Sequence, residues 1–224
     1  MKHNVVAQSG EDADVRVRRI GERARYDGAS INEIVDAALV AHVGTVRDGH
    51  PVVIPMFFVR DSDSLLLHGA PATGVLRRSG TGERVCATIT LLDGLVLARS
   101  AIHHSMNYRS VVVLGTAEPV VNEDEKARAL DLYVERLTPG RQNALRATTP
   151  REIRRTEVLR LPLDRASAKI RTGPPIDDEE DYDLNIWAGV VPLRSIGGTP
   201  ESDPRLGPGV NLPPEVAVLS TQPV

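Results

Sequence analysis

The sequence predicts a mainly β chain with inserted helices, its strands antiparallel and curled toward a closed barrel. Short aliphatic and β-branched runs alternate with polar residues at a period of two. Turn signals such as Asp48-Gly49 separate consecutive runs, as hairpins require and βαβ crossovers do not. About six or seven such strands are enough for an antiparallel sheet to close and remove its edges.

Residues 1–25 are polar and mixed in charge and read as an N-terminal arm. A helix is expected next. Ser30 and Glu33 make a capping-box pattern, and Ile31, Ile34, Val35 and Ala38 repeat at helical spacing. "AHVGTVRDGHPVVIPMFFV" reads as a hairpin turning at Asp48-Gly49, and "SLLLHG" as a further strand. "ERVCATITLLDGLVLA" reads as a second hairpin turning at Asp93-Gly94, and "RSVVVLGTAEPV" as the strand after it. A helix over 123–137 starts at Asn122, with Glu125 three residues on, and ends at "TPG". A short helix is expected near 150–155. "EVLRLPL" and "ASAKIR" then read as strands, the first with Leu159, Leu161 and Leu163 on one face. The folded domain is expected to span 26–194, and the Pro/Gly-rich stretch 195–224 to be disordered.

The totals exclude several classes. The chain has 224 residues, 41% hydrophobic and 25% charged, an ordinary globular composition. A formal charge of -3 and only 3% aromatic residues argue against a nucleic-acid partner. The single cysteine, Cys86, cannot form an intrachain disulfide, and no apolar run has the roughly 18 residues of a membrane span. No membrane partner is expected, and the expected location is the cytoplasm.

The densest chemistry lies in "RSAIHHSMNYRSVVVLG", residues 99–115. Adjacent strand residues point to opposite faces, so His103 and His104 are not expected to share a metal ion. No HExxH, CxxC, GxSxG, GxGxxG or Walker pattern occurs, and no metal site is expected. Lys169 and Arg171 share one face of a strand about 7 Å apart, an arrangement that an anion would screen or that an exposed face would tolerate. The turn "HGAPATG" offers Thr73 and backbone amides before Arg77 and Arg78, a chemistry suited to phosphate. His68 ends an apolar strand, where a histidine is either structural or borders a flat ligand approached over Gly69. Trp187 either pins the acidic C-terminal region or covers a ligand.

The segments "HVGTVRDGHPVVIP", "LHGA", "DGLVLARSAIHHSMNYRSVVVLG", "SAKIRTGPP" and "DYDLNIWAGVVPL" resemble the pyridoxamine 5′-phosphate oxidase-like, FMN-binding split-barrel superfamily. Within it, the similarity is nearest to the nitroimidazole-resistance (Nim-type) flavoproteins and covers about residues 18–194. The resemblance implies a six-stranded antiparallel split β-barrel and a homodimer with one FMN in each cleft between subunits. It implies that Val52, Val53, Ile54 and Pro55 line the isoalloxazine, that His68 and Gly69 border it, and that Thr73 and Arg77 lie near the phosphate. His104, Ser105 and Arg109 would face the cleft, Lys169 and Arg171 would hold an anion, and Trp187 would close the site. Two departures stand out. Gly74 occupies the place where many relatives carry a basic residue, and the C-terminal substrate motif of the vitamin B6 oxidases is missing.

The expected function is therefore that of an FMN-dependent oxidoreductase. It would pass electrons from a reduced nicotinamide, NAD(P)H, to a small organic acceptor such as a nitro compound, with His68 as candidate proton donor. The alternative is a non-catalytic flavin- or haem-binding protein for sensing or storage.

Overall fold

The computed structural model describes residues 15–69 and 84–221. Among these, ten strands form one antiparallel sheet: β1 (Ala24–Arg25), β2 (Val40–Arg47), β3 (His50–Asp61), β4 (Ser64–Gly69), β5 (Arg84–Leu97), β6 (Ser105–Thr116), β7 (Glu118–Pro119), β8 (Glu157–Pro162), β9 (Ala166–Arg171) and β10 (Gly189–Pro192). Their order is β1-β9-β6-β5-β2-β3-β4-β8-β7, with β10 added beside the far end of β5. The helices are α1 (Gly28–Ala37), α2 (Glu123–Leu137), α3 (Pro150–Arg155) and the single turn α4 (Pro214–Ala217).

The sheet splits along β3. Its first part, His50–Phe57, pairs with β2, and its last part, Phe58–Asp61, pairs with β4. One long strand thus serves two sheet segments, which is how the chain curls around a core. The β2–β3 turn is the expected Asp48-Gly49, where φ is +51° and +79°. Two consecutive left-handed residues make the tight turn whose twist matches its strands.

The principal core lies inside the curl. Val43, Phe58, Leu65, Leu67, Ile89, Val111, Val113, Leu159 and Leu161 fill it, and Ile31, Ile34 and Val35 of α1 cover it. Each such side chain, fully buried, contributes about 1.5–3 kcal/mol of transfer free energy. A second, smaller cluster sits on the opposite face of β4, where Leu66, Val59 and Val158 meet Ala129 and Tyr133 of α2. Tyr133 is buried there and donates its hydroxyl to the Leu66 carbonyl at 2.5 Å.

The helix starts follow local chemistry. Asn122 accepts from the Glu125 amide, and Thr149 with Glu152 closes a full capping box at α3. At α1 the cap is Asp27, which accepts from the Ser30 amide, so the helix begins earlier than the Ser30 pattern suggests.

Two regions depart from expectation. No hairpin turns at Asp93-Gly94: β5 runs straight through to Leu97, and the register against β6 shifts between Leu92 and Gly94. The extra residue is accommodated as a bulge, and Asp93 takes the Arg109 guanidinium across the strands at 2.8 and 2.9 Å. The stretch from 195, expected to be disordered, has a defined course up to residue 221. Gly197 lies against Leu219, where a Cβ would come within 2.0 Å of the carbonyl oxygen, and Glu215 of α4 pairs with Arg141 at 3.2 Å. Backbone packing and an ion pair tie the segment down where its side chains offer little apolar surface.

Candidate functional site

Two cavities lie near opposite ends of β5. The smaller, of about 300 Å³, is a mostly apolar groove lined by Gly44 and Thr45 of β2, Val52 and Val53 of β3, and Arg84, Val85 and Cys86 of β5. Leu114 and Gly115 of β6 and Arg165, in the β8–β9 turn, complete it. The strand period explains it. Gly44 pairs with Val53 and with Cys86, and Cys86 pairs with Leu114, so one row crosses four strands on the sheet's outer face. Gly44 sets the floor: a Cβ there would stand 3.6 Å from the Cys86 carbonyl and 3.7 Å from the Val53 side chain, projecting into the groove without a clash. The groove can thus receive a flat apolar body against the backbone, and Arg84 and Arg165 add positive charge to its lining.

The larger cavity, about 670 Å³, lies at the Leu91–Asp93 end of β5, between the C-terminal ends of α1 and α2 and the segment after β10. Arg109, Arg136 and Arg194 line it, with Asp36 and Asp93.

Of the residues that the resemblance points to, Val52 and Val53 line the smaller groove. Ile54, two along from Val52, packs against the principal core, and Pro55 is exposed opposite His42. Thr73 and Arg77 lie outside the described residues. His68 and Gly69 end β4 beside β8 and line neither cavity. The His68 ring packs toward α2, 4.1 Å from the Tyr133 ring centroid and 6.4 Å from that of Phe57, and its Nδ1 has no hydrogen-bond partner among the described residues. Burial pulls its pKa below the ordinary histidine value, so the ring is neutral at pH 7.

The polar stretch before Val111 is used largely inside the fold. His104 Nδ1 bonds the Ser100 carbonyl at 2.9 Å, and Ser105 sits exposed opposite Val96. Arg109 is held by Asp93 and faces the larger cavity, not the groove. Lys169 donates to the Arg19 carbonyl at 3.0 Å. Arg171 is only 6% exposed and donates to Asn107 and to the carbonyls of Gly173 and Pro174. Lys169 and Arg171 share a face, as their spacing requires, but Arg171 serves to hold the 173–174 turn onto β6. Trp187 is 67% exposed, lies against Gly189, and lines neither cavity.

Sequence reasoning missed Gly44, Cys86, Leu114, Arg84 and Arg165. The alternation of β2 and β5 marks Gly44 and Cys86 as outward-facing. Their adjacency depends on the strand order, which no local signal carries. Among the described residues no group of three or more His, Cys, Asp or Glu is placed to hold a metal ion, and no helix is long and apolar enough to cross a membrane.

An antiparallel sheet split along one shared strand, with a groove across its outer face, is a split-barrel architecture. Residues 27–170 match the family model described as pyridoxamine 5′-phosphate oxidase, and the chain belongs to that family. No curated protein matches it. Among solved structures, it is similar to the flavocytochrome Anf3 from Azotobacter vinelandii, with 43% identity over 90% of this chain and 94% of that one and a TM-score of 0.86. A FAD and haem binding protein from Mycobacterium smegmatis shows 37% identity over 88% and 97%, with a TM-score of 0.84. A Bacteroides thetaiotaomicron protein described as a 5-nitroimidazole antibiotic resistance protein shows 28% identity over 66% and 86%, with a TM-score of 0.54. The Nim-type likeness thus covers the share of the chain that a barrel domain takes, whereas the first two also take in segments beyond 27–170.

Proposed function

We propose that the chain is a flavin-binding oxidoreductase whose flavin, FMN, sits in the groove at the Arg84–Cys86 end of β5. The observation that supports this is the groove itself. Gly44 leaves its floor open, Val52 and Val53 present backbone and methyl groups to a flat ring, and the arginines beside them suit a phosphate. A bound flavin supplies two-electron chemistry; the protein binds and orients it. The electron donor under this reading is a reduced nicotinamide and the acceptor a small organic molecule. A second copy of the chain covers the groove face, where Val46 and Val53 stand 60% and 61% exposed.

The names of the Azotobacter vinelandii and Mycobacterium smegmatis relatives favour a second reading, in which haem accompanies the flavin. An imidazole ligand is compatible with the described residues. His103 pairs with Asp178 and His104 bonds Ser100, while His42 and His50 stand exposed and His68 has its Nδ1 open.

The absorbance spectrum of the purified protein, with mass analysis of the extracted flavin, tests both readings. A flavin band bleached anaerobically by NADH or NADPH, with FMN extracted, is the expected result, and FAD in its place would correct the cofactor alone. An added Soret band establishes the flavocytochrome reading. A protein that neither retains nor takes up flavin contradicts the proposal.

A further inference from the structure

We propose that the larger cavity is a binding site for an apolar organic carboxylate, separate from the flavin groove. Four observations carry this.

The first is position. The cavity borders β5 at Thr90–Asp93 and the groove borders it at Arg84–Cys86. Thr90 and Cys86 are four residues apart, about 13 Å along a strand, and the two linings share no residue.

The second is the balance of charge. Both carboxylates of the cavity are already engaged: Asp93 holds Arg109, and Asp36 holds Arg60 at 2.5 and 2.7 Å. Arg136 donates to the carbonyls of Asp36 and Ala38, capping the end of α1, and meets no carboxylate. Arg194 has neither a hydrogen bond nor an ion pair among the described residues. Among the described residues two guanidiniums thus face the cavity without a counter-charge, and an anion there meets donors that are not already neutralised.

The third is the wall. Leu39, Leu91, Leu92, Leu137, Leu193 and Leu219 surround the cations, and Leu92, Leu137 and Leu193 stand 44%, 52% and 37% exposed. A phosphate or other small, fully hydrated anion would leave this surface wet. A molecule with a hydrocarbon body and one carboxylate covers the leucines and neutralises an arginine together. The lining has no His, Met, Cys or Tyr, so it offers no side chain of the kinds that usually bind haem iron.

The fourth is preorganisation. The Leu193 amide donates to the Asp93 carbonyl at 3.0 Å, fixing the backbone one residue before Arg194. Leu219 follows the turn that Arg141 and Glu215 tie down. The segment after β10 therefore forms a fixed wall of the cavity and presents its cation to it.

The test is calorimetric titration of flavin-loaded, full-length protein with octanoate and, separately, with 1-octanol, which has the same body without the charge. Octanoate is expected to bind without displacing flavin, at least about tenfold more tightly than octanol. Arg194→Ala should weaken octanoate about tenfold and leave octanol unchanged, and Arg194→Lys should restore part of the loss. Arg194 is exposed, so these variants fold. Equal affinity for the two probes, no response to Arg194→Ala, displacement of flavin by octanoate, or no octanoate binding would each overturn the proposal. A protein that lacks flavin but still binds octanoate in an Arg194-dependent way would sink the flavin reading and leave this one standing.

Discussion

The two ends of β5 differ in how they treat charge. At the Leu91–Asp93 end a bulge brings Asp93 onto Arg109, and that arginine is neutralised before any ligand arrives. At the Arg84–Cys86 end the strand is regular, the residues around it are mostly small or aliphatic apart from Arg84 and Arg165, and Gly44 leaves space where a side chain would stand. The difference teaches that a run of polar residues in the sequence does not by itself mark where the fold leaves an open groove. Polar side chains rich in hydrogen-bonding groups tend to satisfy one another when the fold brings them together. A groove for a flat cofactor needs missing volume instead.

The largest effect is expected from filling that volume. Gly44→Leu places a side chain in the groove without a backbone clash. It should reduce flavin affinity at least about a hundredfold, roughly 2.7 kcal/mol, in a fluorescence titration, while octanoate affinity stays at the wild-type value. Loss of both would mean that the two ends of β5 are one site.

A smaller effect, of opposite sign, is expected at the other end. Asp93→Asn removes the counter-charge of Arg109. Octanoate should bind several-fold more tightly, flavin affinity should not move, and the protein should lose about 1 kcal/mol of stability, as a partly exposed ion pair allows. Denaturant unfolding with and without octanoate measures both quantities. Weaker octanoate binding would show that Asp93 orients Arg109 for the ligand and does not merely neutralise it.

The smallest effect concerns His68, which lies at neither cavity. Its folded-state pKa is lowered by burial, so below about pH 6.5 the unfolded chain binds more protons at this site than the folded one. The stability it contributes is present above that pH and is lost as pH falls through the folded value. His68→Phe keeps the ring against Tyr133 and should flatten the fall in stability as pH drops below about 6.5. The pH profile of flavin reduction should be unchanged. A profile that shifts in the variant would return His68 to the role of proton donor.

Much of the architecture was legible because local chemistry dictated it. Asp48-Gly49 has few alternatives to a tight turn, Asn122 and Thr149 sit where their side chains cap a helix, and Leu159 and Leu161 alternate into the core. Asp93-Gly94 looks the same in sequence, but its outcome was decided by a partner across the sheet, since Arg109 on β6 rewards a bulge that keeps Asp93 beside it. Arg171 is a similar case: its burial depends on Asn107, which lies 64 residues earlier. The groove was only half legible. Val52 and Val53 came from a resemblance, while Cys86, Leu114 and Arg165 join them only through the strand order.

The placement of flavin at the Arg84–Cys86 end is tested most directly by Cys86 itself, the only cysteine in the chain and part of the groove lining. Its alkylation by a maleimide reports occupancy of the groove without relying on turnover. Saturating flavin should slow the reaction at least about tenfold relative to the flavin-free protein, and octanoate at saturation should leave the rate unchanged. Equal rates with and without bound flavin would contradict the account, because the flavin would then lie elsewhere.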